Sequence, residues 1–358
     1  MTRAEDVTPE LLEIDEPDDR LRGKLRGELS RAALTLTVQR YERLFHALRL
    51  ADQQIRSGAL RCLDAIDRWA PEAGEEIRGT AEGSGLEVWQ IAALNSRTEI
   101  LSAALGARPG ECSTVVSTKP RTLGAQTWDW HEELSESWHV QRITGQRFTH
   151  VGLTEYGILG KIGLNSAGLG VMFNILAHSR DESGGVPVHV VAARVLGGAG
   201  SVAEAVDILS LAPVRTSSAI TVLDRASAVT VELSPAGHGK LVPENHRLLH
   251  TNHFLDPKLS FGEKAGVYEP DSQQRLALLE TRTGQDFHPV STGELHAYLH
   301  STEDDGAELC CQPAAGAPLG QRWSTLATVT ITPEDRAFNV MAGSPATGSR
   351  ENSLQLTV

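Results

Sequence analysis

The sequence has no long apolar run and has fewer basic than acidic residues. No stretch approaches the roughly 20 apolar residues that a membrane-spanning helix needs, and the acidic start lacks the apolar core of a signal peptide. The formal net charge of -13 argues against nucleic acid or anionic lipid as a partner, because affinity for phosphate rests on Lys and Arg. An acidic surface that favours solubility explains the charge, and we expect a cytoplasmic protein.

Cysteine is scarce, with four residues in a chain of 358. Cys62, Cys112, Cys310 and Cys311 are too few for a disulfide framework at this length, and they form no CxxC pair that binds zinc. The adjacent Cys310 and Cys311 could bond to each other only with strain. We therefore expect free thiols in a reducing compartment.

Common signatures of nucleotide, metal and serine-hydrolase sites are missing as well. The glycine-rich segments 160–163 and 197–201 have neither the Walker spacing nor a strand–GxGxxG–helix context. No HExxH accompanies His246, His250 and His253, and no GxSxG elbow supports a serine triad. The sequence therefore predicts no cofactor and no metal. A papain-like Cys/His pair stays open, since its members meet only in space.

The hydrophobic pattern changes near residue 110. Before it, apolar residues three and four apart predict helices over 29–50, 53–70, 72–82 and 87–105. After it, strand patterns dominate at 113–117, 125–130, 138–144, 148–153, 168–174, 218–223, 228–233, 247–251, 326–331 and 337–341. Helices are predicted at 188–196, 202–211, 271–281 and 292–300, and a loop at 306–320. Hairpin groups with paired helices between them predict an α+β fold of antiparallel sheets covered by helices.

Cys112 stands at this boundary. Taken alone, a cysteine is more often a small buried hydrophobic residue than a nucleophile. Cys112, however, begins the strand-rich part directly after the break formed by Pro109 and Gly110. A freed amino terminus at the mouth of an edge strand could reach a cleft, so Cys112 is the candidate nucleophile.

A series of segments resembles the acyl-coenzyme A:6-aminopenicillanic acid acyltransferase family, also called isopenicillin-N acyltransferase-like peptidases. The similarity covers nearly the whole chain beyond the first two dozen residues, and the order and spacing of the segments carry it. The segments are NSRTEI (95–100), CST (112–114), QTWDW (126–130), GKIGLNSAG (160–168), GVP (185–187), ELSP (232–235) and HTNH (250–253).

The resemblance implies an N-terminal-nucleophile (Ntn) hydrolase fold, an αββα sandwich of two antiparallel sheets between helical layers. It also implies self-cleavage between Glu111 and Cys112, which gives chains 1–111 and 112–358 that stay together as one composite domain. The Cys112 thiol would attack the Glu111 carbonyl, and water would hydrolyse the resulting thioester. The freed α-amino group, with a reference pKa of about 7.7–8.0, would then act as the base for the thiol.

The resemblance also assigns roles to four further residues. Asn252 matches a side-chain donor for the oxyanion, a contribution typically worth about 2.7–4 kcal/mol of barrier. Asp129 matches the family's WD aspartate, which would orient the amino terminus. Ser218 matches a serine near the cleavage site, although Ser217 is a rival because the alignment needs one gap. Thr114 lies where the family carries a hydroxyl. On local propensity alone, Asp, Asn and Ser would be turn or strand-edge residues.

Two positions depart from the family pattern. Glu111 stands where the prototype has Gly before the nucleophile, so its carboxylate could assist cleavage, slow it or line the pocket. Cys311 stands where the family often has an Arg that would hold a substrate carboxylate. Penicillin-type substrates are therefore not expected.

The sequence thus predicts an autoprocessed cysteine amidohydrolase acting on a small N-acyl amine or N-acyl amino acid through a thioester acyl-enzyme. Hydrolysis is favoured over acyl transfer, because nothing resembles a coenzyme A site and an amine would have to outcompete water. A different class of function, an unprocessed Ntn-fold protein that binds a metabolite, stays open because of Glu111. A homo-oligomer is compatible with the sequence.

Overall fold

The computed structural model describes residues 6–102, 112–264, 266–267, 271–284 and 287–358. Glu111, Pro109 and Gly110 therefore lie outside the described residues, as does the end of the predicted helix 87–105. Helices dominate the first part, as predicted. After strand β1 (Leu11–Asp15) come α1 (Asp19–Leu29), α2 (Arg31–Ala47), α3 (Asp52–Trp69), α4 (Pro71–Ser84), α5 (Val88–Asn95) and α6 (Arg97–Leu101).

Strands dominate the second part, and β2, β4 and β8 have the predicted bounds. Strands β1, β6, β10 and β14 were not predicted. The elements are β2 (Ser113–Ser117), β3 (Leu123–His131), β4 (Trp138–Thr144), β5 (His150–Glu155), β6 (Ile162–Asn165), β7 (Gly170–Ile175), α7 (Val188–Gly198), α8 (Val202–Ser210), β8 (Ser218–Leu223), β9 (Ala228–Ser234), β10 (Gly237–Leu241), β11 (Arg247–His250), α9 (Asp271–Arg282), α10 (Thr292–Leu299), β12 (Trp323–Thr332), β13 (Ala337–Ala342) and β14 (Ser353–Thr357).

Two sheets form the centre of the described structure. The first has the strand order β1-β4-β5-β6-β7-β8-β9-β10, and the second has the order β11-β2-β3-β12-β13-β14. Helices α7 and α8 contact the first sheet, α9 and α10 contact the second, and the sheets face each other through pairs such as β2 with β7. The predicted α+β sandwich is confirmed. One pairing differs from the antiparallel prediction, because β1 runs parallel to β4.

Helix α1 was not predicted because it carries few apolar residues, and its glycines explain how it packs. A Cβ on Gly23 would lie 2.0 Å from the carbonyl oxygen of Glu76, and one on Gly79 would lie 2.0 Å from that of Arg20. Helices α1 and α4 therefore meet backbone to backbone, and only glycine permits this approach. This interface buries main chain and charged side chains rather than apolar ones, so hydrophobic periodicity does not reveal it.

All four cysteines are buried, and none takes part in a disulfide. Among the described helices, none combines the length and apolarity that crossing a membrane requires.

Candidate active site

Cys112 lies at the start of β2, with 4% of its surface exposed. Its amide N–H donates to Asn252 Oδ1 at 2.8 Å. Its carbonyl oxygen accepts from Asn174 Nδ2 at 2.8 Å and from Arg275 Nη1 at 3.1 Å. Side chains from β7, α9 and the loop after β11 thus fix both polar groups of this residue. Fixing the backbone on both sides of a thiol is what an attack on the preceding peptide bond requires.

Asn252 is held at both ends of its side-chain amide. Its Nδ2 donates to the carbonyl oxygen of Ile175 at 2.9 Å, while its Oδ1 accepts from the Cys112 N–H and from Arg275 Nη2 at 3.0 Å. The amide oxygen therefore faces the atom that cleavage would turn into the α-amino group. Because Nδ2 carries two hydrogens, the predicted role as oxyanion donor is compatible with the bond to Ile175.

Arg275 was not identified from the sequence, although the helix that carries it was. It is fully buried and also donates to Ser113 Oγ at 3.0 Å and to Asp271 Oδ2 at 2.7 Å. Together with Ser272 and Leu279 it forms the buried stripe of α9. A charged residue within the inward stripe of an amphipathic helix is the signal that could have found it.

Asp129 lies on β3 beside the thiol. Its Oδ1 accepts from Thr325 Oγ1 at 2.6 Å, and its backbone N–H is hydrogen-bonded to the Cys112 thiol. Burial, followed by the Asp129 charge, raises the pKa of Cys112 to about 12, although the Asp129 N–H, Lys161 and Arg275 act in the opposite direction. In the uncut chain the thiol is therefore neutral and needs a base.

A buried group of charges, which we call the Glu155 cluster, adjoins the nucleophile and consists of Arg97, Glu155 and Lys161. Glu155 Oε2 lies 2.7 Å from both Arg97 Nη2 and Lys161 Nζ. Lys161 Nζ also lies 3.5 Å from the ring centre of Trp128, a cation–π contact. Burial lowers the pKa of Lys161 to about 7 against the opposing effect of Glu155. Burial alone would raise the pKa of Glu155, but Arg97 and Lys161 hold it well below its usual range.

Thr114 belongs to the network that holds the nucleophile. Its hydroxyl donates to Asn174 Oδ1 at 2.8 Å and accepts from Gln126 Nε2 at 2.6 Å. Because Asn174 donates to the Cys112 carbonyl, Thr114 acts on the nucleophile through Asn174. Neither Asn174 nor Gln126 was assigned a role from the sequence.

Ser218 Oγ makes no hydrogen bond to Cys112 or to any other described residue. On β8 it pairs with Ile175, whereas its neighbour Ala219 pairs with Asn174. Since strand residues alternate between faces, Ser218 lies on the sheet face opposite to Asn174. Ser217, the rival, donates to Asp181 Oδ1 at 2.6 Å.

The histidines near the site have other partners. His250 Nε2 lies 2.9 Å from Glu232 Oε1, and His253 Nδ1 lies 2.8 Å from Ser272 Oγ. Among the described residues no histidine is hydrogen-bonded to the Cys112 thiol, so the geometry does not favour a papain-like pair. The described residues also contain no group of His, Cys, Asp and Glu that could hold a metal ion.

Solved structures similar to this chain include two amide hydrolases. A variant of the conjugated bile acid hydrolase of Clostridium perfringens is 12% identical, with 65% of this chain and 89% of that chain covered and a TM-score of 0.45. An N-acylethanolamine-hydrolyzing acid amidase ortholog from Caenorhabditis elegans is 15% identical, with 62% and 93% covered and a TM-score of 0.43.

The sequence comparisons are more specific. The acyl-coenzyme A:6-aminopenicillanic-acid-acyltransferase 40 kDa form of Emericella nidulans is 31% identical over 332 residues, which are 90% of each chain. The family model for acyl-coenzyme A:6-aminopenicillanic acid acyl-transferase matches residues 116–347. These matches confirm the resemblance carried by the motifs. The chain belongs to the acyl-coenzyme A:6-aminopenicillanic acid acyl-transferase family.

Proposed function

We propose that the chain is an autoprocessed cysteine amidohydrolase that cleaves small N-acyl amines or N-acyl amino acids. One observation carries this proposal: Asn252, Asn174 and Arg275 hold the amide and the carbonyl of Cys112 at the start of β2. Asn252 thus holds the nitrogen of the peptide bond that would be cut, while Asn174 and Arg275 hold the carbonyl group of the following peptide unit.

Self-cleavage begins with attack of the Cys112 sulfur on the carbonyl carbon of Glu111. The C–N bond breaks as the acyl group moves to sulfur, and the thiol proton passes to the departing nitrogen. Water then hydrolyses the thioester, which leaves a carboxylate on Glu111 and an α-amino group on Cys112. Asn252 Oδ1, now 2.8 Å from that nitrogen, would accept a hydrogen bond from the new amine.

Turnover uses the same thiol, with the freed α-amino group as its base. The α-amino group takes the thiol proton, and the sulfur attacks the substrate carbonyl. The C–N bond then breaks as the resulting ammonium group gives this proton to the leaving amine, and the acyl group stays on sulfur as a thioester. The cations of Arg275 and Lys161 both favour the thiolate electrostatically. Hydrolysis of the thioester by water completes the cycle.

The two products of cleavage, 1–111 and 112–358, would remain associated. Arg97 from the first product and Glu155 from the second form a buried ion pair at 2.7 Å, and α2 to α6 share a hydrophobic core with the sheets. Separating them would expose that pair and that core to water, which is unfavourable.

A panel of N-acyl amides tests the proposal through amine release by the purified protein. The Cys112→Ala variant should be inactive, while the matched Cys62→Ala variant, altered at another buried thiol, should remain active. A substrate-like electrophile should label Cys112 in preference to Cys62, Cys310 and Cys311. Normal turnover by Cys112→Ala would rule out the proposed nucleophile, and an inactive, unlabelled protein would favour a metabolite-binding role.

Acyl transfer is the second candidate, because the Emericella nidulans relative is named an acyltransferase. Adding an amine acceptor to the turnover assay separates the two reactions. Hydrolysis predicts free acid as the main product at every acceptor concentration tested, whereas transfer predicts that the new amide replaces it.

A further inference from the structure

The loop that carries Asn252 is fixed from both sides. It follows β11 and contains neither helix nor strand from residue 251 to 256. On one side, Ser272 Oγ of α9 accepts the Asn252 N–H at 2.7 Å. On the other side, the loop rests on a pair formed by His250 and Glu232, both with no exposed surface.

Glu232 lies on β9 and gathers donors from the loop. Its carboxylate accepts the backbone N–H of Leu255 at 2.7 Å and of Asp256 at 2.9 Å, and lies 2.9 Å from His250 Nε2. Three donors converge on two oxygens that are removed from water. The Glu232 carboxylate therefore ties the loop to β9.

The partners of His250 determine its protonation. Its Nδ1 lies 2.7 Å from the carbonyl oxygen of Thr251, which can only accept, so Nδ1 carries a hydrogen. Its Nε2 faces the carboxylate of Glu232, which also accepts. Both ring nitrogens donate only in the imidazolium form. The buried pair is then neutral overall, as burial requires.

His253 is the other histidine beside this pair. Burial, followed by the positive charges of His250 and Arg275, lowers the pKa of His253 to about 4, with Glu232 acting in the opposite direction. His253 therefore stays neutral and shares Ser272 Oγ and Thr251 Oγ1 as partners. His250 is the imidazolium on this side of the loop.

We propose that His250 and Glu232 form an imidazolium–carboxylate clamp that positions Asn252 for catalysis. His250 holds the carbonyl of Thr251, directly before Asn252, and Glu232 holds two amides that follow it. The clamp thus brackets the residue whose amide contacts the Cys112 nitrogen. Both are positioning residues, and this role rests on the proposed function.

Nitrogen NMR of protein with ¹⁵N-labelled histidine tests the charge state without any turnover. The His250 signals are those lost in His250→Gln, and at neutral pH both ring nitrogens should be protonated. An unprotonated ring nitrogen on His250 would overturn the clamp. Because the same spectrum can be recorded on Cys112→Ala, this result is independent of whether the protein is an amidohydrolase.

Kinetics on the active protein test the positioning role. His250→Gln and Glu232→Gln should each lower kcat on the order of 10- to 100-fold with little change in KM, since Asn252 is displaced. In the double variant the two glutamine amides can form one N–H···O bond. Its fold-loss in kcat should therefore be smaller than the product of the two single losses. His238→Gln, at an exposed position of β10, is the matched control and should retain kcat. Single variants with unchanged kcat, or multiplicative losses, would contradict the positioning role.

Discussion

The Glu155 cluster has a counterpart of similar composition elsewhere in the molecule. Arg22, Arg26 and Glu76, which we call the Glu76 cluster, also place two buried cations on one buried carboxylate. Arg22 Nε lies 2.9 Å and Arg26 Nη2 lies 2.8 Å from Glu76 oxygens. Burial alone would raise the pKa of Glu76, but Arg26 and Arg22 hold it below its usual value.

The two clusters differ in what lies beside them. The Glu76 cluster joins α1 to α4, and Arg26 reaches Gln141 on β4 at 2.6 Å. The Glu155 cluster joins α6 to β5 and extends through Lys161 to Trp128 and to the electrostatic surroundings of Cys112. Buried charge alone therefore does not identify a functional site. The Glu155 cluster differs in that one of its members, Lys161, acts electrostatically on the Cys112 thiol.

The largest effect is expected for Glu155→Gln. Removing the carboxylate leaves Arg97 and Lys161 buried without a counter-charge, which should reduce the free energy of unfolding by about 3–5 kcal/mol. The buried Lys161 should then lose its proton, and alkylation of Cys112 should become slower. Urea unfolding and the rate of iodoacetamide labelling measure the two effects.

Glu76→Gln should cost about the same 3–5 kcal/mol of unfolding free energy for the same reason. Iodoacetamide should label Cys112 in this variant at the same rate as in the unchanged chain. The groups that shift the pKa of the Cys112 thiol are Asp129, Lys161 and Arg275, which do not belong to the Glu76 cluster. A changed labelling rate in this variant would erase the distinction between the clusters.

Acid pH should weaken the Glu76 cluster in a defined direction. The pKa of Glu76 is lower in the folded than in the unfolded chain, so the unfolded state binds more protons in acid. The stabilisation is present above the unfolded value of about 4.3 and is lost as the pH falls through the folded value. Melting temperatures between neutral pH and acid should therefore fall more steeply for the unchanged chain than for Glu76→Gln. Melting temperatures that fall equally with pH in the two proteins would contradict this prediction.

Lys161→Met should have the smallest effect on stability. The variant replaces a buried cation by an apolar side chain of similar length, and Glu155 remains paired with Arg97. Alkylation of Cys112 should become slower, since Lys161 is one of the two cations, with Arg275, that favour its thiolate.

Burial lowers the pKa of Lys161 to about 7, so the unfolded state binds more protons above that pH. The unchanged chain should therefore gain stability relative to the variant as the pH rises from about 7 to 10.5. A pH-independent difference would contradict a buried, deprotonating lysine.

The sequence predicted those elements that carry strong hydrophobic periodicity. The long helices and β2, β4 and β8 belong to this group, and so does the position of Cys112 at the helix-to-strand boundary. Helix α1 escaped detection because glycine contacts with α4 hold it. The predicted helix 87–105 did not reveal its division at Ser96, whose hydroxyl bonds back to Ala92 O at 2.6 Å.

The site residues that the sequence predicted are those that lie in a family motif and close to Cys112. Asn252, Asp129 and Thr114 all lie in the hydrogen-bonded surroundings of Cys112. Arg275 was missed because it lies on α9, 163 residues after Cys112, and in none of the segments that resemble the family. Distance along the chain does not indicate which residues are in contact in the folded structure. Ser218 depended on a gap in the alignment, and a shift of one residue moves a strand side chain to the other face.

An intact-mass spectrum of the freshly purified protein tests the central claim most directly. We expect two chains with the masses of residues 1–111 and 112–358, the second beginning with Cys112, and a single full-length chain for Cys112→Ala. A single uncut chain that is also inactive on the N-acyl amide panel, or a normally divided Cys112→Ala protein, would contradict it.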